Sequence, residues 1–293
     1  LIRDAQMDGS RVHIFERDAV PGGACDGWEY PQIGFTMRGG REMDNHFEVM
    51  WDLFRSIPSI EDESMSILDY YYRLNKQDPN YSLCRATVNR GEDAGLDNTF
   101  GLSDKACSEI MNLFFTPEEQ LDDKAITDYF SDDVLDSNFW LYWRTMFGFE
   151  NWHSALEMKR YIQRFVHHVG GLPDFSALRF TRYNQFESLI LPTVNYLKGH
   201  GVQFHLNTEV VDVTFSSTEE RKVATEVQTI CEGAPKAFHL SENDLLFITN
   251  GSCVANSSFG SQDEPAQFNT VLEPGTGFDL WRRIARQDPS FGR

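Results

Sequence analysis

The sequence predicts an α/β fold in which strand segments at both ends of the chain flank a largely helical stretch. Three observations carry this reading. A short apolar strand, VHIF, ends in the acid Glu16 and is followed closely by PGGACDG. Residues from Leu102 to about Val169 keep a helical pattern almost throughout. After them, GVQFHLNTEVVDVTF, KVATEVQTIC and NDLLFITNGS return to strand character.

In order along the chain, LIRDAQMDG reads as the last turns of a helix stopped at Gly9, and a strand follows from Arg11 to Phe15. The stretch DNHFEVMWDLFRSI, from Asp44, places Phe47, Met50, Trp51 and Phe54 on one helical face at i, i+3, i+4 and i+7. Residues 57–82 are mixed, and LCRATVNR (83–90) alternates like a strand. Thr116-Pro117-Glu118-Glu119 has the form of a helix start, with proline at the first turn and acids next to the positive end of the dipole. A helix from Asn184 to Lys198 stops at Gly199-His200-Gly201, and the last apolar strand, 243–252, ends in a small-residue turn. The expected organisation is a first α/β part (1–101), a helical part (102–182) and a return to the α/β part (183–293). A chain rarely starts in the last turns of a helix, so the sequence reads as an internal piece of a longer protein.

Composition narrows the function. The 293 residues carry a formal net charge of −19, which argues against a nucleic-acid binder needing a basic stripe for phosphates. The same charge opposes attraction of the whole chain to an anionic membrane. No apolar run has the length of a membrane span, and the first residues do not read as a secretion signal. Five cysteines, Cys25, Cys84, Cys107, Cys231 and Cys253, are scattered without C-x-x-C or metal-ligand spacing. That usage points to reduced thiols in a cytosolic compartment and to no metal site.

Several segments have the form of a dinucleotide site. An acid at the end of a strand in such a fold accepts hydrogen bonds from ribose hydroxyls, and Glu16 occupies that kind of position; taken alone, it also reads as a surface carboxylate. Gly22-Gly23 would let backbone pass close to a pyrophosphate, or form a plain Pro-Gly turn. GVQFHLNTEVVDV is similar to the strand beside the adenine in two-domain flavoproteins, where a valine, here Val210, touches the base through its backbone. NDLLFITNGS is similar to the strand that closes the nucleotide domain, its turn formed by Asn250, Gly251 and Ser252. A glycine-rich phosphate loop is not found in this sequence. The run TMRGGREMDNHF sets Gly39-Gly40 between Arg38 and Arg41 and directly before Glu42, bringing charge against something flat or tightly fitted.

PGGACDG, MRGGREM, EMKRYIQRF, RYNQFESLILP and ITNGS, in this order over essentially the whole chain, resemble the oleate hydratase family of fatty acid double-bond hydratases, also known as myosin-cross-reactive antigen. Members of that family are longer than this chain. The resemblance implies an FAD-binding, Rossmann-like two-domain flavoprotein with a largely helical substrate-domain insertion. It places FAD against Glu16, Gly22, Gly23, Arg38, Gly39, Gly40, Arg41, Val210, Asn250, Gly251 and Ser252. It makes Glu42 the water-activating group, Tyr161 the proton donor and Gln185 a contact to the substrate head group. The implied reaction adds water to the cis double bond of an oleate-like fatty acid, giving a 10-hydroxy fatty acid. It further implies a cytoplasmic homodimer, with any peripheral membrane contact made through parts outside this chain. The Phe and Trp content of residues 114–165 leads to the expectation that the helical part walls a long apolar tunnel.

Plainer readings stand beside these. Tyr161 shares a helical face with Met158, Ile162 and Phe165 and reads by itself as a packing residue, and Glu42 beside two arginines reads as a salt-bridged carboxylate. His167-His168 reads as the polar end of a helix. A redox flavoenzyme of the amine oxidase or carotenoid desaturase type, which has no need of a Glu42–Tyr161 pair, is one rival. A non-catalytic fatty acid carrier is another.

Overall fold

The computed structural model describes residues 1–32, 34–37, 42–218, 220–251, 258, 260–267 and 277–292. Its strands are β1 His13–Phe15, β2 Gly27–Tyr30, β3 Gly34–Met37, β4 Thr87–Val88, β5 Glu92–Asp93, β6 Gln203–His205, β7 Thr208–Ser217, β8 Lys222–Cys231 and β9 Ala234–His239. Its α-helices are α1 Glu48–Phe54, α2 Ile67–Gln77, α3 Asp104–Phe115, α4 Ile126–Tyr129, α5 Asp132–Leu135, α6 Asn138–Phe147, α7 Ala155–Phe165, α8 Leu191–Gly199 and α9 Gly277–Gln287. The mixture is that of an α/β chain. No helix among the described residues is long and apolar enough to cross a membrane. The described cysteines, Cys25, Cys84, Cys107 and Cys231, are free.

The chain divides into two compact units. The first gathers Leu1–Arg41, Leu53–Tyr70 and Arg182–Arg293. Here β1 pairs in parallel with β6, in the register His13↔Gln203, Ile14↔Phe204, Phe15↔His205. Parallel neighbours need a crossover connection, and here most of the chain lies between the two strands. Gly9 makes that approach possible, because a Cβ there would stand 2.0 Å from the carbonyl oxygen of His200. A separate antiparallel sheet runs β7-β8-β9. Val213 and Val227 from this sheet and Leu280 and Ile284 from α9 form its buried core. Leu280 and Ile284 stand four residues apart, on one face of α9. The open edge of β7 is closed by side chains of the same helix. Arg283 donates to the Val211 carbonyl (2.6 Å), and Gln287 donates to that of Val213 (2.7 Å) and accepts from the Phe215 amide (3.0 Å). Edge groups that would otherwise invite another strand are thereby satisfied.

The second unit comprises Glu42–Asp52 and Tyr71–Thr181. It therefore takes up residues 42–52 and 71–101, which the sequence pattern groups with the first α/β part. Serines cap its helices: Ser103, Ser137 and Ser154 accept from the amides of Ala106, Trp140 and Glu157. Gly148 ends α6 at φ 68°, a left-handed C-terminal residue suited to glycine. Leu113, Ile126, Trp140, Trp143 and Met158 are almost wholly buried and pack together with Phe130, Phe139 and Phe149.

That packing corrects the tunnel expectation. Most of the aromatic side chains of 114–165 close on one another in a core, and Phe115 and Trp152, the most exposed of them, stand in solvent. Aromatic content here reports core volume, so it supports neither a tunnel wall nor a lipid carrier, and it lends no support to a hydratase that holds its substrate there. Other differences are local. Residues 1–8 form a turn instead of a helix end, with Gln6 at φ 51° and the Asp8 carboxylate accepting from the Ser10 amide. A few residues cannot sustain a helix without tertiary support. Within 83–90 only Thr87–Val88 is strand, because Asn89, Arg90 and Gly91 turn the chain at positive φ back onto β5. Segment 243–252 has no ladder partner among the described residues. Leu246 and Ile248 pack on the sheet–helix core, while Leu245 and Phe247 are exposed. Helix α2 lies in a stretch whose sequence pattern is mixed. Its signal is Ser66, whose hydroxyl accepts from the Asp69 amide and donates to the Asp69 carboxylate. Strand β9 is likewise not foreseen by the sequence pattern.

Two substitutions test this packing. Gly9→Ala forces a methyl onto backbone atoms and is expected to cost about 1–3 kcal/mol in denaturant unfolding. Met158→Ala is expected to cost about 2–5 kcal/mol, whereas exposed Phe115→Ala should stay within about 0.5 kcal/mol of wild type.

Candidate functional site

Glu42 and Tyr161 both fall in the second unit. Glu42 is exposed, and the five residues after it are each held by a distant partner. Met43 forms a two-bond antiparallel bridge with Arg179, its amide donating at 2.8 Å and its carbonyl accepting at 3.2 Å. The carbonyl of Asp44 accepts from the Trp51 indole at 2.7 Å. Asn45 accepts from the Tyr71 hydroxyl at 2.9 Å. The carbonyl of His46 accepts from Arg164 at 2.7 Å, and the Arg164 guanidinium lies 5.2 Å from the centre of the Phe47 ring.

Asp44 is the buried centre of this arrangement, with 3% of its surface exposed. Its Oδ1 accepts from the His46 amide at 2.7 Å and lies 3.1 Å from Nε2 of His168. An ionised carboxylate only accepts, so His168 carries the hydrogen on that nitrogen. Among the described residues Oδ2 has no hydrogen bond, although Nη1 of Arg164 stands 3.4 Å away and Nε2 of His167 3.9 Å away. Burial pushes the Asp44 carboxyl up. The His46 amide, the His168 hydrogen bond and the charges of His168 and Arg164 outweigh it, holding the group below the usual carboxylate range. His167 is held below the ordinary imidazole value by burial first, then by neighbouring His168. Asp44, His167 and His168 present ligand atoms within 4.8 Å of one another. No spacing in the sequence points to this cluster.

Tyr161 lies on α7, whose buried face is Ala155, Met158 and Ile162. It is half-buried at the margin of that face. Phe147 and Phe149 meet its ring edge-on, at centroid distances of 5.6 and 5.1 Å, and Phe165 lies 6.0 Å away. The aromatic frame fixes the direction of the phenol. The neighbouring Lys159 is buried and donates to the carbonyl of Thr116, tying α7 to the end of α3. Arg164 follows Tyr161 by three residues, close to one helical turn.

The remaining expected residues lie in the first unit, apart from Arg38, Gly39, Gly40, Arg41 and Ser252, which are outside the described residues. Glu16 follows β1 directly and is half-buried. Its Oε1 accepts from the Asp18 amide at 3.0 Å, while its own amide donates to His205. Gly22 has φ 128°, and a Cβ there would meet Ile190 at 3.2 Å; Gly23 has φ 56° and open space where its Cβ would be. Val210 stands in β7 opposite Thr229, beside a bulge, and its side chain packs on the sheet–helix core. Asn250 accepts from the Trp281 indole at 2.9 Å, and Gly251 has φ 111°. Gln185 is buried just ahead of a π-helical turn, Phe186–Ile190, that continues into α8.

Sequence reasoning does not find Asp44, Arg164 and His168 as one group. Asp44 lies inside a helical pattern, and the histidines read as a polar helix end. Their partnership joins segments more than a hundred residues apart, which no local pattern records.

Comparison with known proteins agrees with the resemblance. The chain is 46% identical over 292 residues to "Oleate hydratase" of Streptococcus pyogenes serotype M49 (strain NZ131), covering 100% of this chain and 49% of that protein. It is 28% identical over 315 residues to "Linoleate hydratase" of Lactiplantibacillus plantarum, covering 100% of this chain and 55% of that protein. The chain thus spans about half the length of the curated relatives it matches. The MCRA family model matches residues 1–293, and the chain belongs to the MCRA family.

Proposed function

We propose that this chain carries the proton-donating and water-activating groups of an FAD-dependent hydratase acting on a cis double bond of oleate-like fatty acids. The observation that carries the reading is the match to an oleate hydratase along the entire chain. Further support comes from Glu42 and Tyr161, far apart in sequence, falling in one compact unit.

The reaction needs an acid at one alkene carbon and an activated water at the other. Tyr161 gives its phenolic proton to the first carbon, and a water oxygen bonds to the second as Glu42 takes a proton from that water. The alkene has then gained one hydrogen and one hydroxyl, giving the 10-hydroxy fatty acid. Glu42 is left protonated and Tyr161 deprotonated, so a proton returning from one to the other through solvent resets the pair. Positive charge develops on carbon during the addition, and the Glu42 carboxylate stabilises it electrostatically. Gln185, polar and buried, is the expected contact to the fatty acid head group.

The first unit has features that suit a dinucleotide of the FAD type. Glu16 follows a parallel strand, where a carboxylate can hold ribose hydroxyls, and the Asp18 amide orients it. Gly23 leaves its backbone open to close approach by a phosphate. Val210, Asn250 and Gly251 complete the described part of this Rossmann-like reading; Arg38, Gly39, Gly40, Arg41 and Ser252 belong to it by resemblance. Because hydration involves no net redox change, bound flavin would supply shape and charge to the site.

The test is incubation of the full-length protein with oleate in heavy-oxygen water, followed by mass spectrometry. One labelled hydroxyl per product is expected. Glu42→Gln and Tyr161→Phe should each lose about 10²–10⁴-fold in hydration rate, with circular dichroism and flavin absorbance unchanged. Full activity in both variants would overturn the assignment.

A further inference from the structure

We infer that Asp44 is a positioning residue for hydration: its carboxylate fixes the chain that carries Glu42 to the end of the helix that carries Tyr161. This rests on the reading of those two residues as the reacting pair.

Asp44 stands two residues after Glu42, and its charge partner Arg164 stands three residues after Tyr161 on α7. At a rise of about 1.5 Å per residue, Arg164 is less than one turn from the tyrosine. His168, the other partner, lies just beyond the end of the same helix, in the turn Val166–Gly171. One buried side chain therefore links the backbone of the proposed base to the helix of the proposed acid. The Met43–Arg179 bridge and the bond from Arg164 to the His46 carbonyl hold the same short segment from two further directions.

The chemistry of the group supports the role. An apolar side chain would fill this buried place without the desolvation penalty of a charge. The carboxylate instead makes directional contacts to His46 and His168 and keeps Oδ2 towards Arg164 and His167. Such contacts specify position more narrowly than apolar packing does. The charged groups facing Asp44 from neighbouring elements are Arg164, His167 and His168, the Tyr71 phenol lies close enough to feel its charge, and His46 meets it through the backbone amide. Two imidazoles and a carboxylate also make a donor set suited to zinc. Here the Arg164 guanidinium already supplies a cation 3.4 Å from the open oxygen, which opposes a second one.

The experiment measures kcat and KM for oleate in the full-length protein. Asp44→Asn keeps the shape and an acceptor for the His46 amide but removes the charge. It should lower kcat by about 10- to 100-fold, the scale of a small misplacement of reacting groups, with KM nearly unchanged. Placed on Glu42→Gln, the same change should add almost nothing, since it acts through Glu42. His168→Gln, which keeps a donor, should retain most activity, and His168→Leu should resemble Asp44→Asn. If Asp44→Asn does not fold, the two His168 variants carry the same comparison, alone and on Glu42→Gln. An unchanged kcat in Asp44→Asn and His168→Leu, or an equal fall on both backgrounds, overturns the inference. So does a wild-type rate that EDTA abolishes and Zn²⁺ restores, which would assign the cluster to a metal. Full activity in Glu42→Gln and Tyr161→Phe would remove the hydratase pair itself and this inference with it. Loss in those two with none in Asp44→Asn removes this inference alone.

Discussion

A buried carboxylate is the constraint on which the candidate site depends. Asp44 is almost fully removed from water, and ionised groups in that condition persist only when other groups replace the lost hydration. The replacements here come from one place, the last turn of α7 and the turn that follows it, with a local amide from His46. That requirement pins a segment with little regular structure of its own to a capped, well-packed helix. Without it, the residues just after Glu42 would rely on the Met43–Arg179 bridge and on single contacts from Arg164, Trp51 and Tyr71.

The helical core supports this arrangement from beneath. Ser154 caps α7 at its start, Met158 and Ile162 bury its inner face, and Lys159 fastens it to the end of α3. A lysine ammonium at a helix C-terminus meets carbonyls that lack helical partners, which is favourable there. The aromatic side chains of α6 and the following loop meet the ring of Tyr161 edge-on. The density that makes this region poor as a tunnel wall is what makes it a rigid mount.

The first unit solves a different problem, the closing of strand edges. β1 and β6 come from distant parts of the chain and meet because Gly9 has no side chain to obstruct the His200 backbone. The edge of β7 is satisfied by Arg283 and Gln287 from α9 in place of another strand. Glu16, directly after β1, takes its geometry from this pairing through its amide bond to His205, while Gly23 belongs to a separate short turn, Gly23–Cys25. A nucleotide reading of these residues thus depends on a sheet built from both ends of the chain.

The sequence by itself determined the class of the fold, the places of several of the longer helices and strands, and the family. Periodicity was sufficient for α7 and β7, because each runs over enough residues for the pattern to show. Gly199-His200-Gly201 marked the end of α8 through local backbone chemistry. Strings such as RGGREM carried Glu42, and EMKRYIQRF carried Tyr161, by resemblance alone. Only the tertiary structure decided the rest. Whether the aromatic residues of 114–165 would line a space or fill one depends on what faces them, which periodicity cannot express. Segment 243–252 has the apolar run of a buried strand, yet hydrogen bonding needs a neighbour, and none of the described residues supplies one. Asp44 meets Arg164 and His168 across more than a hundred residues, and a contact of that kind exists only after the chain has folded.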